Sequence, residues 1–178
     1  MDALSILKRH LSSNPELFET VYLHSRHVML KALDLADRHP ELSMDRNFIE
    51  EAALLHDIGV YRTNAPDIHC LGTFPYICHG YLGREIMDQE GLPRHGLVCE
   101  RHTGTGLYLT EILDQNLPLP HRDLVPVSLE EKIICFADKF YSKTQLDNEF
   151  SIEEVRSKLI KYGPEGVNRF DRWCEMFL

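Results

Sequence analysis

Residues 52–59, AALLHDIG, place a histidine and an aspartate at the end of an apolar helical run that stops at a glycine. His56 follows Ala52 and Ala53 at helical spacing, so it falls on the helix face that packs inside the protein. Asp57 comes next, close to the negative end of the helix dipole. An unpaired buried carboxylate costs several kcal/mol, and this end of a helix disfavours an anion. The stretch therefore predicts a positively charged partner beside Asp57.

Helical spacing recurs along the whole chain. Asn14 before Pro15 is an N-cap signal, and serine followed three positions later by glutamate, a capping box, occurs at Ser128 and Ser151. Gly59 is expected to close the second helix. Because no alternation of apolar and polar residues extends beyond a few positions, the predicted fold class is all-α. Helices are predicted around seven apolar runs, at 21–36, 48–55, 82–87, 97–98, 133–137, 155–159 and 170–177.

The composition is that of an ordinary globular protein. The chain has 178 residues, of which 43% are hydrophobic and 26% charged, a size and balance typical of a single domain that buries roughly 70% of its unfolded surface. Its formal net charge of −9 argues against a general nucleic-acid or membrane-surface binder. The same charge is compatible with one small phosphorylated ligand.

The beginning of the chain has no apolar segment of the kind found in a signal peptide, and no later run approaches the ~20 apolar residues that span a bilayer. A cytoplasmic protein is therefore expected. The five cysteines are scattered and contain no CxxC pair. We interpret them as reduced thiols that serve as small apolar residues, and not as a disulfide framework or a cysteine zinc site.

Four other histidines and aspartates share the inward position of His56. Each lies three or four positions from an apolar residue of its helix: His24 from Val21 and Val28, His79 from Leu82, His102 from Val98, and Asp138 from Ile134 and Tyr141. A single buried histidine is most often a hydrogen-bonded core residue. Four histidines and two aspartates on the inner faces of five helices favour a shared site, because one or two metal ions satisfy all of them together. Separate satisfaction within the core is the alternative.

The remaining six histidines carry weaker signals. His27 shares a helix with His24 and could line the same cleft, and His69 lies in a turn-rich segment that could reach the site. Neither is predicted to be a ligand. Charged or loop-like surroundings predict that the others are solvated, namely His10, His39, His95 and His121.

At these positions the sequence resembles the HD superfamily of metal-dependent phosphohydrolases. The resemblance covers residues 21–144, and HDIG at 56–59 is similar to the signature of the HDIG-type members. Two further motifs resemble the first and last of the family, HSRHVMLKALDLA at 24–36 and IICFADKF at 133–140. The implied fold is a single helical bundle over 1–178 with a buried metal site, in which helices at 151–178 complete the core.

The same resemblance implies a set of metal ligands. The family motifs match His24, His56, Asp57 and Asp138. HGYLGREIMDQEGLP at 79–93 and CERHTGTG at 99–106 are similar to the segments that add two ligands in the binuclear branch, which includes small proteins related to bacterial diadenosine tetraphosphate hydrolases. The added ligands would be His79 and His102.

In the implied binuclear arrangement Asp57 bridges two metal ions that activate a water molecule for attack on phosphorus. Imidazole and carboxylate ligands favour iron or manganese, with zinc, nickel or cobalt also possible. The implied activity is hydrolysis of a nucleotide or related phosphoester. Arg101 and Lys139 adjoin two ligands and are candidate phosphate contacts, although each fits equally well as a surface charge.

Two departures and two alternatives limit this interpretation. After HTG the chain continues with Thr105, Gly106 and Leu107, without the GYP motif of cyclic di-GMP phosphodiesterases, so that substrate is not expected. No synthetase or nucleic-acid-binding segment accompanies the motifs. The ligand set also occurs in HD-fold mixed-valence di-iron oxygenases that oxidise a small organic substrate, and it would suit a non-catalytic metal-dependent sensor. The sequence leaves the substrate, the native metal and the oligomeric state open.

Overall fold

The computed structural model describes residues 1–178. All seven apolar runs lie within helices, as predicted, while the first and sixth helices were not among the predicted ones. The nine α-helices are α1 Ala3–Leu11, α2 Pro15–Arg38, α3 Arg46–Leu55, α4 His79–Gln89, α5 Pro93–Arg101, α6 Leu109–Asp114, α7 Leu129–Asp138, α8 Ile152–Leu159 and α9 Pro164–Phe177.

The predicted caps begin three of these helices. The side chain of Asn14 accepts a hydrogen bond from the backbone N–H of Leu17 at 3.1 Å, and Ser151 and Glu154 form a complete capping box. At α7 only half of the box forms. Ser128 caps the helix, but the Glu131 carboxylate accepts from the N–H of Val127 instead of that of Ser128.

A small three-stranded sheet interrupts the helices, so the all-α prediction is wrong in this detail. Its strands are β1 Thr63–Ala65, β2 Cys70–Leu71 and β3 Phe74–Pro75, in the order β2-β1-β3. β1 pairs antiparallel with β2 and parallel with β3. Strands of two or three residues are too short to show the alternation that predicts a strand from sequence.

Two hydrophobic cores meet in the middle of α2. One contains the second half of α2 with α3, α7, α8 and α9, and the other contains α1, the start of α2 and the end of α4. Val28 belongs to the first core and Val21 to the second, with His24 between them. Similarly, Ala53 and Leu55 lie in different cores just before His56. The seam between the two cores is therefore where the inward-facing polar residues gather.

Gly59 does not close α3, because that helix already ends at Leu55. Gly59 lies instead in a 3₁₀ turn, Ile58–Arg62, that packs against the start of α4. A Cβ atom at Gly59 would overlap the carbonyl oxygen of His79 and the backbone nitrogen of Gly83. The glycine thus permits a close approach of two backbone segments, which brings His79 towards the end of α3.

Replacing Gly59 by alanine should destabilise the protein by about 1–3 kcal/mol or more, because the added methyl meets backbone that cannot rotate away. Urea unfolding would measure the change. Gly166→Ala is the matched control, since a Cβ there meets its nearest neighbour, Thr105 Oγ1, at an ordinary 3.5 Å. Equal unfolding midpoints for the two variants would contradict the close-approach argument.

None of the helices combines the length and apolar character needed to cross a membrane. All five cysteines are free thiols, and four of them are buried. Burial raises the pKa of Cys135 to about 12 and that of Cys70 to about 11. Such thiols pack as small apolar groups and stay protonated, which agrees with the interpretation from sequence.

Candidate metal centre

The six polar residues predicted to face inward converge on one site at the seam between the cores. Five are buried, and Asp138 is partly exposed. Five helices position them: His24 lies within α2, His56 and Asp57 directly follow α3, His79 begins α4, His102 directly follows α5, and Asp138 ends α7.

Four of the six form a first group around one oxygen of Asp57. Oδ2 of Asp57 lies 3.0 Å from Nε2 of His56 and 3.3 Å from Nε2 of His24. Oδ1 of Asp138 lies 2.9 Å from the same His24 nitrogen and 3.5 Å from that of His56. Two imidazoles and two carboxylates thus direct their ligand atoms at a common point.

The other oxygen of Asp57 serves a second group. Oδ1 lies 3.4 Å from Nε2 of His102 and 3.6 Å from Nε2 of His79. The two histidine nitrogens are 3.0 Å apart. Because each carboxylate oxygen faces a different group, Asp57 stands between the two groups and connects them.

Backbone carbonyls one helical turn back hold three of the imidazoles. Nδ1 donates to a carbonyl oxygen at 2.7 Å in each case, from His56 to Ala53, from His79 to Tyr76 and from His102 to Cys99. A carbonyl only accepts, so Nδ1 carries the hydrogen, and in the neutral ring the lone pair is on Nε2. This is the second hydrogen bond that orients histidines that bind metals.

The pKa of His56 in the first group is shifted in the opposite direction to those of His79 and His102 in the second. Burial opposes protonation of His56, but Asp57 and Asp138 together raise its pKa to about 9. Burial, reinforced by His102, lowers the pKa of His79 to about 3. Burial also lowers the pKa of His102, so the second group is neutral apart from Asp57.

The second group is poorly satisfied by protein atoms alone. His79 and His102 both carry their hydrogen on Nδ1, so two lone pairs face each other across 3.0 Å without a proton between them. A cation that accepts both lone pairs removes this repulsion.

Unpaired atoms and ligand spacing in the first group agree with the same conclusion. Nε2 of His56 and both oxygens of Asp57 are buried without a hydrogen bond of acceptable geometry, although charged groups lie nearby. Metal bonds of about 2.1 Å put neighbouring ligand atoms about 3.0–3.4 Å apart. The spacings of 2.9–3.5 Å observed in this group are of this size. The residues therefore fit metal ions.

Lys143 is the positive partner of Asp57, and inspection of the sequence missed it. Its Nζ lies 2.5 Å from Oδ2 of Asp57 and donates a hydrogen bond to the Tyr76 hydroxyl at 3.2 Å. Tyr76, also missed, stacks on the ring of His79 with centroids 4.7 Å apart. Burial disfavours charge on Lys143, but Asp57 raises the pKa of the ammonium above its usual value. Both residues lie outside α-helices, where helical spacing gives no signal.

The two candidate phosphate contacts lie in different places. Nζ of Lys139 is 2.7 Å from Oδ2 of Asp138 and donates to the carbonyl of His102, so it borders the site. Arg101 faces away from the site and donates to Glu131 at 2.8 Å. The side chains of consecutive residues point in different directions around a helix, so Arg101 does not share the face of His102.

His95 differs from its prediction. It is buried, packs edge-on against Phe48 with centroids 4.8 Å apart, and lies 3.4 Å from Glu51, so solvation was the wrong expectation. The contact between α3 and α5 covers His95. The charges of neighbouring residues in the sequence do not predict such a tertiary contact. The other five histidines lie outside the site. His69 is exposed and lies 3.4 Å from Glu16, and His121 is also exposed. Three are partly buried, namely His10, His27 and His39.

The HD domain family model matches residues 21–142, which include all six converging residues. The chain belongs to the HD domain family. The family assignment agrees with the resemblance seen in the sequence, and the buried histidine–aspartate cluster agrees with metal binding.

This HD domain protein is similar in sequence to several proteins, including the following three. It is 32% identical over 160 residues to an uncharacterized protein of Methanocaldococcus jannaschii. This alignment covers 89% of this chain and 83% of the relative. The chain is 34% identical over 131 residues to a tRNA (cytidine(56)-2'-O)-methyltransferase of Picrophilus torridus, covering 73% of this chain and 34% of the relative. The tRNA (cytidine(56)-2'-O)-methyltransferase of Thermoplasma volcanium is 31% identical over 122 residues. That alignment covers 68% of this chain and 31% of the relative.

The chain therefore spans about a third of the length of the two methyltransferases. No solved structure matches the chain.

Metal loading of the HD domain should raise its melting temperature by about 5–10 °C at a hundredfold excess of metal over Kd. Such an excess adds about 2.7 kcal/mol to the free energy of unfolding. For a chain of this size, each kcal/mol raises the melting temperature by about 2–4 °C. Scanning fluorimetry with Mn²⁺, and with a chelator, would measure the shift. His79→Ala should reduce it, whereas His121→Ala, at an exposed position, should preserve it. A shift of the same size in both variants would place the metal elsewhere.

Proposed function

We propose that this HD domain protein is a metal-dependent phosphohydrolase that acts on a nucleotide or related phosphoester. The observation that supports this most strongly is a cavity of about 450 Å³ beside the first ligand group. Three lysines line it together with His24 and Asp138, namely Lys139, Lys143 and Lys158. We call this cavity the lysine chamber.

The charge of the lysine chamber suits a phosphate. Its lining contains three ammonium groups and two carboxylates, those of Asp67 and Asp138. Asp138 is a candidate ligand, so metal ions bound there would leave the chamber strongly positive. Aromatic rings of Tyr141, Phe150 and Tyr162 also line it, which gives an organic group attached to the phosphate a surface to contact.

Each residue near the chamber has a task in the proposed reaction. Lys139 is held by the carbonyl of His102, so its ammonium can neutralise a phosphoryl oxygen without losing its position. Lys143 reaches Asp57 from the same chamber and can contact the same phosphate. Bound metal ions would supply Lewis acidity and lower the pKa of a water molecule enough for attack near neutral pH.

The names of two relatives raise RNA as a substrate. Nucleic-acid binding depends on neutralising many phosphates, and a chain with a net charge of −9 is poorly suited to it. The lysine chamber offers its cations at one point and not along a surface stripe. We therefore keep a small phosphoester as the proposed substrate, and nucleoside polyphosphates of the diadenosine tetraphosphate type belong in the first assays.

The test is a panel of phosphomonoesters and phosphodiesters assayed with Mn²⁺, Fe²⁺, Zn²⁺, Co²⁺, Ni²⁺ and Mg²⁺. Metal-dependent release of phosphate or of a nucleotide product is the expected result. Oxygen consumption by the iron-loaded protein, tied to an organic substrate and without phosphate release, would replace the proposal with an oxygenase. Metal binding without either turnover would favour a sensor.

A further inference from the structure

A second cavity, of about 370 Å³, adjoins the other ligand group. Its lining includes His79, the guanidinium of Arg169 and three glycines, Gly104, Gly106 and Gly166. We call it the glycine chamber. It shares four lining residues with the lysine chamber, namely Tyr76, Gly104, Leu159 and Tyr162. The metal site therefore lies between two adjoining chambers, each bordered by a different ligand group.

The two chambers differ in charge. The only charged side chains that line the glycine chamber are Arg169 and Glu111, which pair with each other at 3.1 Å. Its walls are otherwise mainly apolar, from Ile77, Leu107 and Leu117. A phosphate would gain little there, whereas an uncharged organic group would bury apolar surface.

The shape of the glycine chamber favours a flat group. Gly104 and Gly166 have room where a Cβ atom would lie, so backbone forms part of the chamber surface and a planar ligand can approach closely. Gly106 packs instead against residues 124–126. Tyr76 stands at the boundary, where it stacks on His79 and accepts a hydrogen bond from Lys143. A ligand in this chamber would therefore lie next to the second ligand group.

Arg169 offers a directional contact inside the chamber. The residue is only 6% exposed, and it donates from Nε to Thr105 and from Nη2 to the carbonyl of Gly106. Nη1 forms the ion pair with Glu111 at 3.1 Å, and Nη2 also donates to the Glu111 carboxylate at 3.2 Å. Nη1 carries two N–H groups, so the one that does not face Glu111 can donate to a ring nitrogen or carbonyl of a ligand.

We propose that the glycine chamber binds the planar heteroaromatic group of the substrate, a nucleobase, while the lysine chamber holds its phosphates. This inference rests on the proposed function and adds the arrangement of the substrate. The reacting phosphoryl group lies between the chambers, at the metal ligands that border both. Specificity for the organic group then resides in residues 103–107 and at the start of α9.

Adenosine binding tests the glycine chamber without any turnover. Calorimetry on the metal-free protein should detect adenosine and not ribose. Gly166→Phe places a ring in the chamber and should weaken adenosine binding at least about tenfold, whereas Gly166→Ala should preserve it. Gln115→Trp fills the chamber from an exposed position at the end of α6, where folding is not at stake. Unchanged adenosine binding in both folded bulky variants would overturn the inference.

Activity assays separate this inference from the proposed function. In Gly166→Phe, KM for AMP should rise about tenfold or more, while kcat/KM for ribose 5-phosphate should stay at its wild-type value. Equal loss with both substrates would indicate a general defect and contradict the assignment. If the wild-type protein binds adenosine but hydrolyses no phosphoester, the proposed function fails and the adenosine site stands.

Discussion

Asp57→Asn should reduce metal-dependent phosphate release by about a hundredfold to a thousandfold. Asp57 offers one carboxylate oxygen to each ligand group. The neutral amide removes the charge that connects them, and single electrostatic contributors of this kind are worth about 10²–10³ in rate. Initial rates under saturating metal would measure the loss, and atomic absorption would show fewer ions per chain.

The matched control is Asp114→Asn, which makes the same chemical change at an exposed position at the end of α6. It should keep wild-type activity and metal content. Full activity of the Asp57→Asn variant with two ions bound would exclude a bridging role for Asp57.

Lys143→Met should lower kcat/KM for a phosphoester by about a hundredfold and also destabilise the metal-free protein. Removing one member of a buried charge pair typically costs about 3–5 kcal/mol, and protonated His56, 3.0 Å from Asp57, offsets part of that cost here. Here the partner is Asp57, which is fully buried. Metal ions neutralise the same carboxylate, so metal loading should restore most of the stability but not the activity.

Chemical unfolding with and without Mn²⁺ would separate these two effects. Lys161→Met, at an exposed position after α8, is the control and should change neither quantity. If the Lys143→Met variant remains unstable after metal loading, Lys143 stabilises the protein by some contact other than its charge pair with Asp57. A variant with normal kcat/KM would remove Lys143 from the proposed phosphate contacts.

Helical spacing was enough to find the inward-facing side chains, because a residue three or four positions from apolar neighbours shares their face of the helix. His24 and Asp138 are 114 positions apart, yet both are predictable since each lies in a well-formed helix. Spacing also indicated that Asp57 needs a positive partner. It did not indicate which residue, because Lys143 reaches Asp57 from a segment without regular structure.

Tertiary contact explains the errors. A glycine after an apolar run usually ends a helix, but Gly59 is needed where another backbone segment approaches, which no local pattern reveals. His95 has charged neighbours in sequence and is nevertheless covered by the contact of α5 with α3. The short strands in residues 63–75 pair only because the turns between them bring their ends together.

The carbonyl oxygens that hold His56, His79 and His102 have an entropic consequence for metal capture. Each ring is fixed by a residue three positions earlier in the same chain segment, so its rotameric freedom is lost during folding and not when an ion arrives. Association then requires little further ordering of the cage, and preorganised sites of this kind bind tightly for their number of contacts. Different transition metals would meet much the same arrangement of donors, and selection among them falls to availability and coordination preference.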